Sequence, residues 1–152
     1  MKTSKVDKRL LTIFIMSLVA TLGSLYYSNF GDPVINLQSG QLFHSGNGLD
    51  PCHLCWWARI LMYPIVFISG FALLDNNRKA LRPIMALSVL GTGLEIYHYV
   101  LQKFDIATTQ MCTQANPCAA LKVDYFGFIT IPFLCLTAFV VILIAATTRR
   151  DV

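Results

Sequence analysis

The chain has 152 residues, is 55% hydrophobic with a mean hydropathy of +0.58, and carries charge at only 13% of its positions. Soluble domains carry about 25% charged residues, so this composition excludes an ordinary soluble domain and indicates a single membrane domain spanning 1–152. The net charge of +4 forms no basic stripe interleaved with aromatics, which argues against a nucleic-acid partner.

Four apolar runs follow one another along the chain. The first, about 10–27, has no charged residue. Its basic approach resembles a signal peptide, but the run exceeds a typical signal core of about 7 to 15 residues, so the expectation is an uncleaved anchor. The second run, about 56–74, contains one charge, Arg59; the third, about 83–101, contains Glu95 and also His98; the fourth, about 125–147, contains none. A membrane-spanning helix needs about 17 to 25 apolar residues, and all four qualify. An isolated span in lipid must satisfy its own backbone hydrogen bonds, so each is expected to be helical. Pro64 and Pro132 fall inside two of the runs, where proline removes a helix hydrogen bond and kinks the axis. The expected architecture is an all-α, four-helix transmembrane bundle.

Charge orients it. With the N-terminus inside, the inner segments 1–9, 75–82 and 148–152 hold nine of the twelve basic residues. The positive-inside rule then places both termini in the cytoplasm. Two loops, about 28–55 and 102–124, face outward.

Four of the five cysteines fall in those loops: Cys52 and Cys55 in one, Cys112 and Cys118 in the other. That side of a membrane is where disulfides persist, although four cysteines allow three pairings and spacing does not choose among them. A loop staple is a sufficient account of a generic spacing such as Cys112 to Cys118. It suits Cys52 and Cys55 poorly, because so small a ring constrains little of the unfolded chain; two intervening residues are instead the spacing of exchangeable redox pairs. A zinc site built from all four is disfavoured by the oxidising side and the membrane edge, so no metal is expected. Trp56 after Cys55 rules out the haem-attachment pattern. Cys135, mid-run in the fourth span, reads as an apolar filler.

The redox pair opens the second span. A helix N-terminus and a nearby cation both favour the thiolate, and Arg59 lies four residues after Cys55, on the same helical face. An ionisable group within a span is a functional hypothesis by default. Trp56, Trp57 and Tyr63 suit an interfacial aromatic belt. Glu95 and His98 share a face of the third span at i, i+3 spacing, at a depth similar to Arg59, so the three are expected to form one polar cluster inside the bundle.

Together these residues resemble the disulfide bond formation protein B family (DsbB). The resemblance rests on four spans, on Cys-His-Leu-Cys-Trp-Trp-Ala-Arg-Ile-Leu-Met-Tyr-Pro at 52–64, on the second outer pair ending Asn-Pro-Cys118, and on Ile-Tyr-His98-Tyr. The Gly-Phe-Ile-Thr-Ile-Pro run at 127–132 resembles its BdbC-like branch. The resemblance implies a bacterial inner-membrane enzyme that reoxidises a DsbA-like, thioredoxin-fold thiol oxidase and passes the electrons to a quinone, ubiquinone or menaquinone. It also implies that Cys112–Cys118 is the disulfide the partner attacks, with Cys112 the point of attack. Cys52–Cys55 then reoxidises that pair, Cys55 engages the quinone, and Arg59 and His98 bind it. Only five residues separate Cys112 from Cys118, a more compact loop than the best-known members have. The competing reading is a four-span structural or interaction protein with stapled loops. A vitamin K epoxide reductase-like protein is a closer rival, but there the paired cysteines come late in the chain.

Overall fold

The computed structural model describes residues 7–31, 51–104 and 129–148. Four helices account for almost all of them: α1 (Lys8–Phe30), α2 (His53–Asp75), α3 (Leu81–Phe104) and α4 (Ile131–Thr147), with a single 3₁₀ turn at Arg78–Ala80 between α2 and α3.

Local chemistry sets the ends. Asp7 caps α1, its carboxylate accepting from the Arg9 N–H at 3.1 Å. Gly31 closes that helix at φ 81°, a conformation that favours glycine. Cys52 caps α2: its backbone is extended and its sulfur accepts from the Cys55 N–H at 3.4 Å. At the other end Asn76 adopts the left-handed conformation that asparagine tolerates. Asn77 then accepts from Lys79 N–H at 3.0 Å and starts the 3₁₀ turn.

The first three helices extend past the expected spans at both ends. The fourth is shorter than expected: Ile129 and Thr130 are not helical, and α4 begins at Ile131 rather than near 125. Pro132 therefore stands in the first helical turn instead of kinking a helix from within. Its missing N–H costs nothing there, because the first turn's N–H groups have no intrahelical partner. Pro64 does lie inside a continuous α2.

The helices close a ring in which α1 packs on α2, α2 on α3, α3 on α4 and α4 on α1. Every neighbouring pair is antiparallel. The ring is filled at its middle and at the end where α1 begins by Ile13, Met62, Ile65, Ile84, Phe139 and Ile142. Phe139 reaches this core because Gly91 offers no side chain: a Cβ there would stand 2.3 Å from its ring. Small polar residues on the inward faces satisfy themselves within their own helices. Buried Ser69 and Ser88 donate to the carbonyls four residues back, at 2.6 and 2.8 Å. Small residues of this kind let helices approach closely in lipid, where apolar burial supplies no drive for association.

The outer surface is apolar. Phe67, Phe71, Leu74, Leu90 and Ile144 are all more than half exposed. Three helices are long and apolar enough to cross a membrane, and α4, at 17 residues, is a shorter apolar helix. The chain is a multi-pass membrane protein built as a four-helix bundle.

One end of the bundle gathers the C-terminal ends of α1 and α3 and the N-terminal ends of α2 and α4. Segments 32–50 and 105–128 both connect helices at this end, so the link that carries Cys112 and Cys118 starts and finishes there; those two cysteines lie outside the described residues. The opposite end carries Lys8, Arg9, Arg78, Lys79 and Arg82, with Arg78 Nε paired to Asp7 at 2.9 Å.

Candidate functional site

The site is built at the first of these ends, from the opening turns of α2. As the cap residue, Cys52 turns its sulfur toward the free N–H groups of its own helix, three residues before Cys55. The two sulfurs consequently lie 3.0 Å apart. Cys52 is buried beneath Leu101 and Leu94 of α3, whereas Cys55 is half-buried and lines a cavity of about 60 Å³ in the middle of the bundle end.

Cys52 stands at the cap, before the membrane-spanning helix. Its thiol is drawn down to about 4, chiefly by the Cys55 side chain beside it; burial opposes this, and the His98 ring and the Cys55 backbone N–H add to the lowering. The helix N-terminus favours negative charge at the same place.

Arg59 sits one turn beyond Cys55 and is also buried. Its Nε donates to Ser24 Oγ at 2.8 Å and its Nη2 to the Ser24 carbonyl at 3.0 Å, so α1 holds the guanidinium by a two-point clamp. The guanidinium carbon also stands 5.6 Å from the centroid of the Trp56 ring, within cation–π reach.

The third helix contributes Glu95 and His98, each only 1% exposed. His98 Nε2 lies 3.5 Å from Cys52 Sγ, and its Nδ1 lies 3.7 Å from Glu95 Oε2. The expected cluster thus forms, but differently wired. Arg59 bonds to Ser24 rather than to Glu95, and Glu95 faces His98. Arg59, Glu95 and His98 nonetheless line one cavity with Cys55.

Two further residues belong to its wall. Ser24 escaped the sequence reading because it is one of several hydroxyls in α1, and nothing local marks it as the partner of a residue 35 positions away. Cys135 is half-buried in the second turn of α4 and lines the same cavity, nearer the start of the helix than the mid-span place expected of it. Its position follows from the later start of α4. Trp56 and Trp57 are exposed on the outer face, as an interfacial belt requires; Tyr63 instead lines the cavity.

Comparison with known proteins adds a family to this geometry. The model of the family described as disulfide bond formation protein DsbB matches residues 7–148. The chain belongs to the DsbB family. Among curated relatives it is similar to disulfide bond formation protein C of Bacillus subtilis (strain 168), at 35% identity over 132 residues, covering 86% of this chain and 84% of the relative. A probable disulfide formation protein of Oceanobacillus iheyensis is also 35% identical, with 93% of this chain and 88% of the relative covered. One of Halalkalibacterium halodurans, a probable disulfide formation protein C, is 34% identical over 95% and 94% of the two chains. No solved structure matches the chain. The family match covers all four helices, so the bundle end just described lies wholly within the DsbB-like region.

Proposed function

We propose that this DsbB-family chain is a quinone-dependent protein-disulfide oxidoreductase acting as one domain over 1–152. It sits in a bacterial cell membrane, reoxidises a DsbA-like thioredoxin-fold thiol oxidase outside the cytoplasm, and so supports disulfide formation in exported proteins. The observation that carries this reading is the sharing of one cavity by the Cys55 thiol and the clamped Arg59 guanidinium, at the end of a membrane bundle.

The cavity suits the headgroup of a quinone. A planar ring with carbonyl acceptors calls for a hydrogen-bond donor and mostly apolar walls. Arg59 supplies the donor, and Ala20, Met62 and Phe139 supply apolar wall. An apolar groove between α1 and α4 shares Ser24, Tyr27 and Cys135 with the cavity and runs past Val19 and Leu134, which suits a long hydrocarbon tail. A bound quinone, ubiquinone or menaquinone, supplies a lipid-soluble acceptor for two electrons and two protons. Arg59 would hold it, with charge that favours the anionic character developing in reduction. Cys55 and His98 line the same cavity and would complete the site.

The dithiol chemistry then runs by exchange. The partner's dithiol reduces Cys112–Cys118, with Cys112 the point of attack, and that dithiol in turn reduces Cys52–Cys55. Each exchange forms one disulfide and breaks another, moving two electrons and two protons inward. Orientation follows from charge. The end bearing Lys8, Arg9 and Arg78 is cytoplasmic by the positive-inside rule, so both termini are inside and the cysteine end is outside.

The test is turnover with purified protein, a reduced thioredoxin-fold oxidase and added ubiquinone or menaquinone analogues. Wild type should reduce a quinone, and Cys55→Ser should not. Failure of wild type with both quinone classes sinks the proposal. Arg59→Ala separates it from a merely stapled structural protein, in which that change leaves function intact.

A further inference from the structure

We propose that Glu95 is a positioning residue, which orients His98 so that its Nε2 takes the proton of the Cys52 thiol. This rests on the disulfide-relay reading above and adds to it a route for protons.

Three observations carry it. The chain of contacts is continuous: Cys52 Sγ to His98 Nε2 at 3.5 Å, then His98 Nδ1 to Glu95 Oε2 at 3.7 Å. Both inner atoms, Nδ1 and Oε2, are buried and have no hydrogen-bond partner among the described residues. Buried polar atoms left unpaired are costly, and here the two orphans face each other. The cation that shares their cavity is committed elsewhere, since the Arg59 guanidinium is clamped to Ser24. That removes Arg59 as the simple explanation for a carboxyl group at this depth.

At 3.7 Å the inner contact is longer than a hydrogen bond, and such contacts tighten when charge develops. The step itself is a proton transfer. The Cys52 S–H bond breaks, an Nε2–H bond forms, and the electron pair stays on sulfur. Glu95 accepts from Nδ1–H, which leaves Nε2 as the basic nitrogen, and its carboxylate balances the imidazolium. A carboxylate that fixes a histidine's tautomer does the same work beside a nucleophile in acyl-transfer enzymes.

The titratable and charged groups that line the cavity with this pair are Cys55, Arg59 and Tyr63 from α2, Cys135 from α4 and Tyr27 from α1, while Cys52 meets the His98 ring. If Glu95 were only a negative charge near Cys52, its removal would favour the thiolate and move the Cys52 midpoint down. If it positions His98, its removal moves the midpoint up.

The experiment uses the reduced full-length protein in lipid nanodiscs. The pH profile of alkylation at Cys52 is read by peptide mass spectrometry. Glu95→Gln should raise the midpoint by about one pH unit, roughly a tenfold loss of thiolate below it. His98→Gln should do likewise, and Glu95→Gln added to His98→Gln should raise it no further. Glu95→Asp, which keeps the charge but draws it back by one methylene, should raise it by less; it carries the test should Glu95→Gln not fold. An unmoved or lowered midpoint in the Glu95 variants, or an additive double variant, overturns the proposal. Wild-type quinone reduction measured alongside separates the two readings. Its absence removes the relay and leaves the Cys52 profile to judge Glu95; its presence with an unmoved profile removes Glu95's role alone.

Discussion

Ser24→Ala is the sharpest probe of how Arg59 works. The change deletes one hydroxyl, keeps the helix backbone, and places a good helix former in α1. It removes the 2.8 Å bond from Arg59 Nε while the 3.0 Å bond from Nη2 to the Ser24 carbonyl stays. A hydrogen bond to a charged group contributes about 1.5 to 3 kcal/mol net. With half of the clamp intact, the lower value, about 1.5 kcal/mol, applies, and at 1.4 kcal/mol per tenfold that is about a tenfold change. If Arg59 holds the acceptor, the cost falls on binding. The KM for quinone should rise about tenfold while kcat changes by less than about twofold. The assay is steady-state quinone reduction in nanodiscs at saturating reduced thiol oxidase. A quinone KM within about twofold of wild type refutes the reasoning, because the clamp would then be contributing less than about 0.4 kcal/mol. A fall in kcat with KM unchanged refutes it differently, by moving Arg59 from binding to the reaction itself.

Three other outcomes test the structure more widely. Because the Cys52 thiol is lowered to about 4, its alkylation should stay fast from alkaline pH down toward that value and fall only below it. By the same linkage the reduced fold gains stability from this group above the thiol's ordinary value and loses it as pH falls through about 4, which a pH series of denaturation midpoints measures. Gly91→Ala would drive a methyl group to 2.3 Å from Phe139, and such overpacking costs about 1 to 3 kcal/mol; unfolding in mixed micelles should register that loss. Arg78→Ala breaks the ion pair to Asp7, but Arg78 is 74% exposed, and pairs of that kind contribute at most about 1 kcal/mol. The same unfolding assay should therefore find it nearly silent.

The helices were legible because lipid imposes a simple rule: an apolar run that crosses it, with at most one charge, must be helical and about 20 residues long. Their ends were less so, since Asp7, Gly31 and Asn76 act through capping geometry rather than hydropathy. The start of α4 was not legible at all. Ile129 and Thr130 interrupt no apolar run, and hydropathy does not distinguish their non-helical backbone from a first helical turn. In the site, every relation confined to one helical turn could be read. Cys52 with Cys55, Cys55 with Arg59, and Glu95 with His98 are all i, i+3 or i, i+4. The relations that wire these pairs together could not. Arg59 finds Ser24 across 35 positions and Cys52 finds His98 across 46, and such links depend on which faces of two helices meet.

The two sulfurs are neighbours in unlike surroundings. Cys52 is closed in by α3, the helix N-terminus and an imidazole, whereas Cys55 opens on the cavity that holds Arg59. A cap residue and the residue three positions later must diverge in this way, because one looks back at the free N–H groups and the other joins the helix face. On the proposed function, oxidising the dithiol therefore splits into two exits. Electrons leave through Cys55 toward an acceptor in lipid, and the proton of Cys52 leaves through His98. The two exits open on one cavity but belong to different groups: Arg59 would meet the acceptor, and His98, backed by Glu95, takes the proton. An arrangement in which one group did both would have to choose between neutralising the acceptor and deprotonating the sulfur.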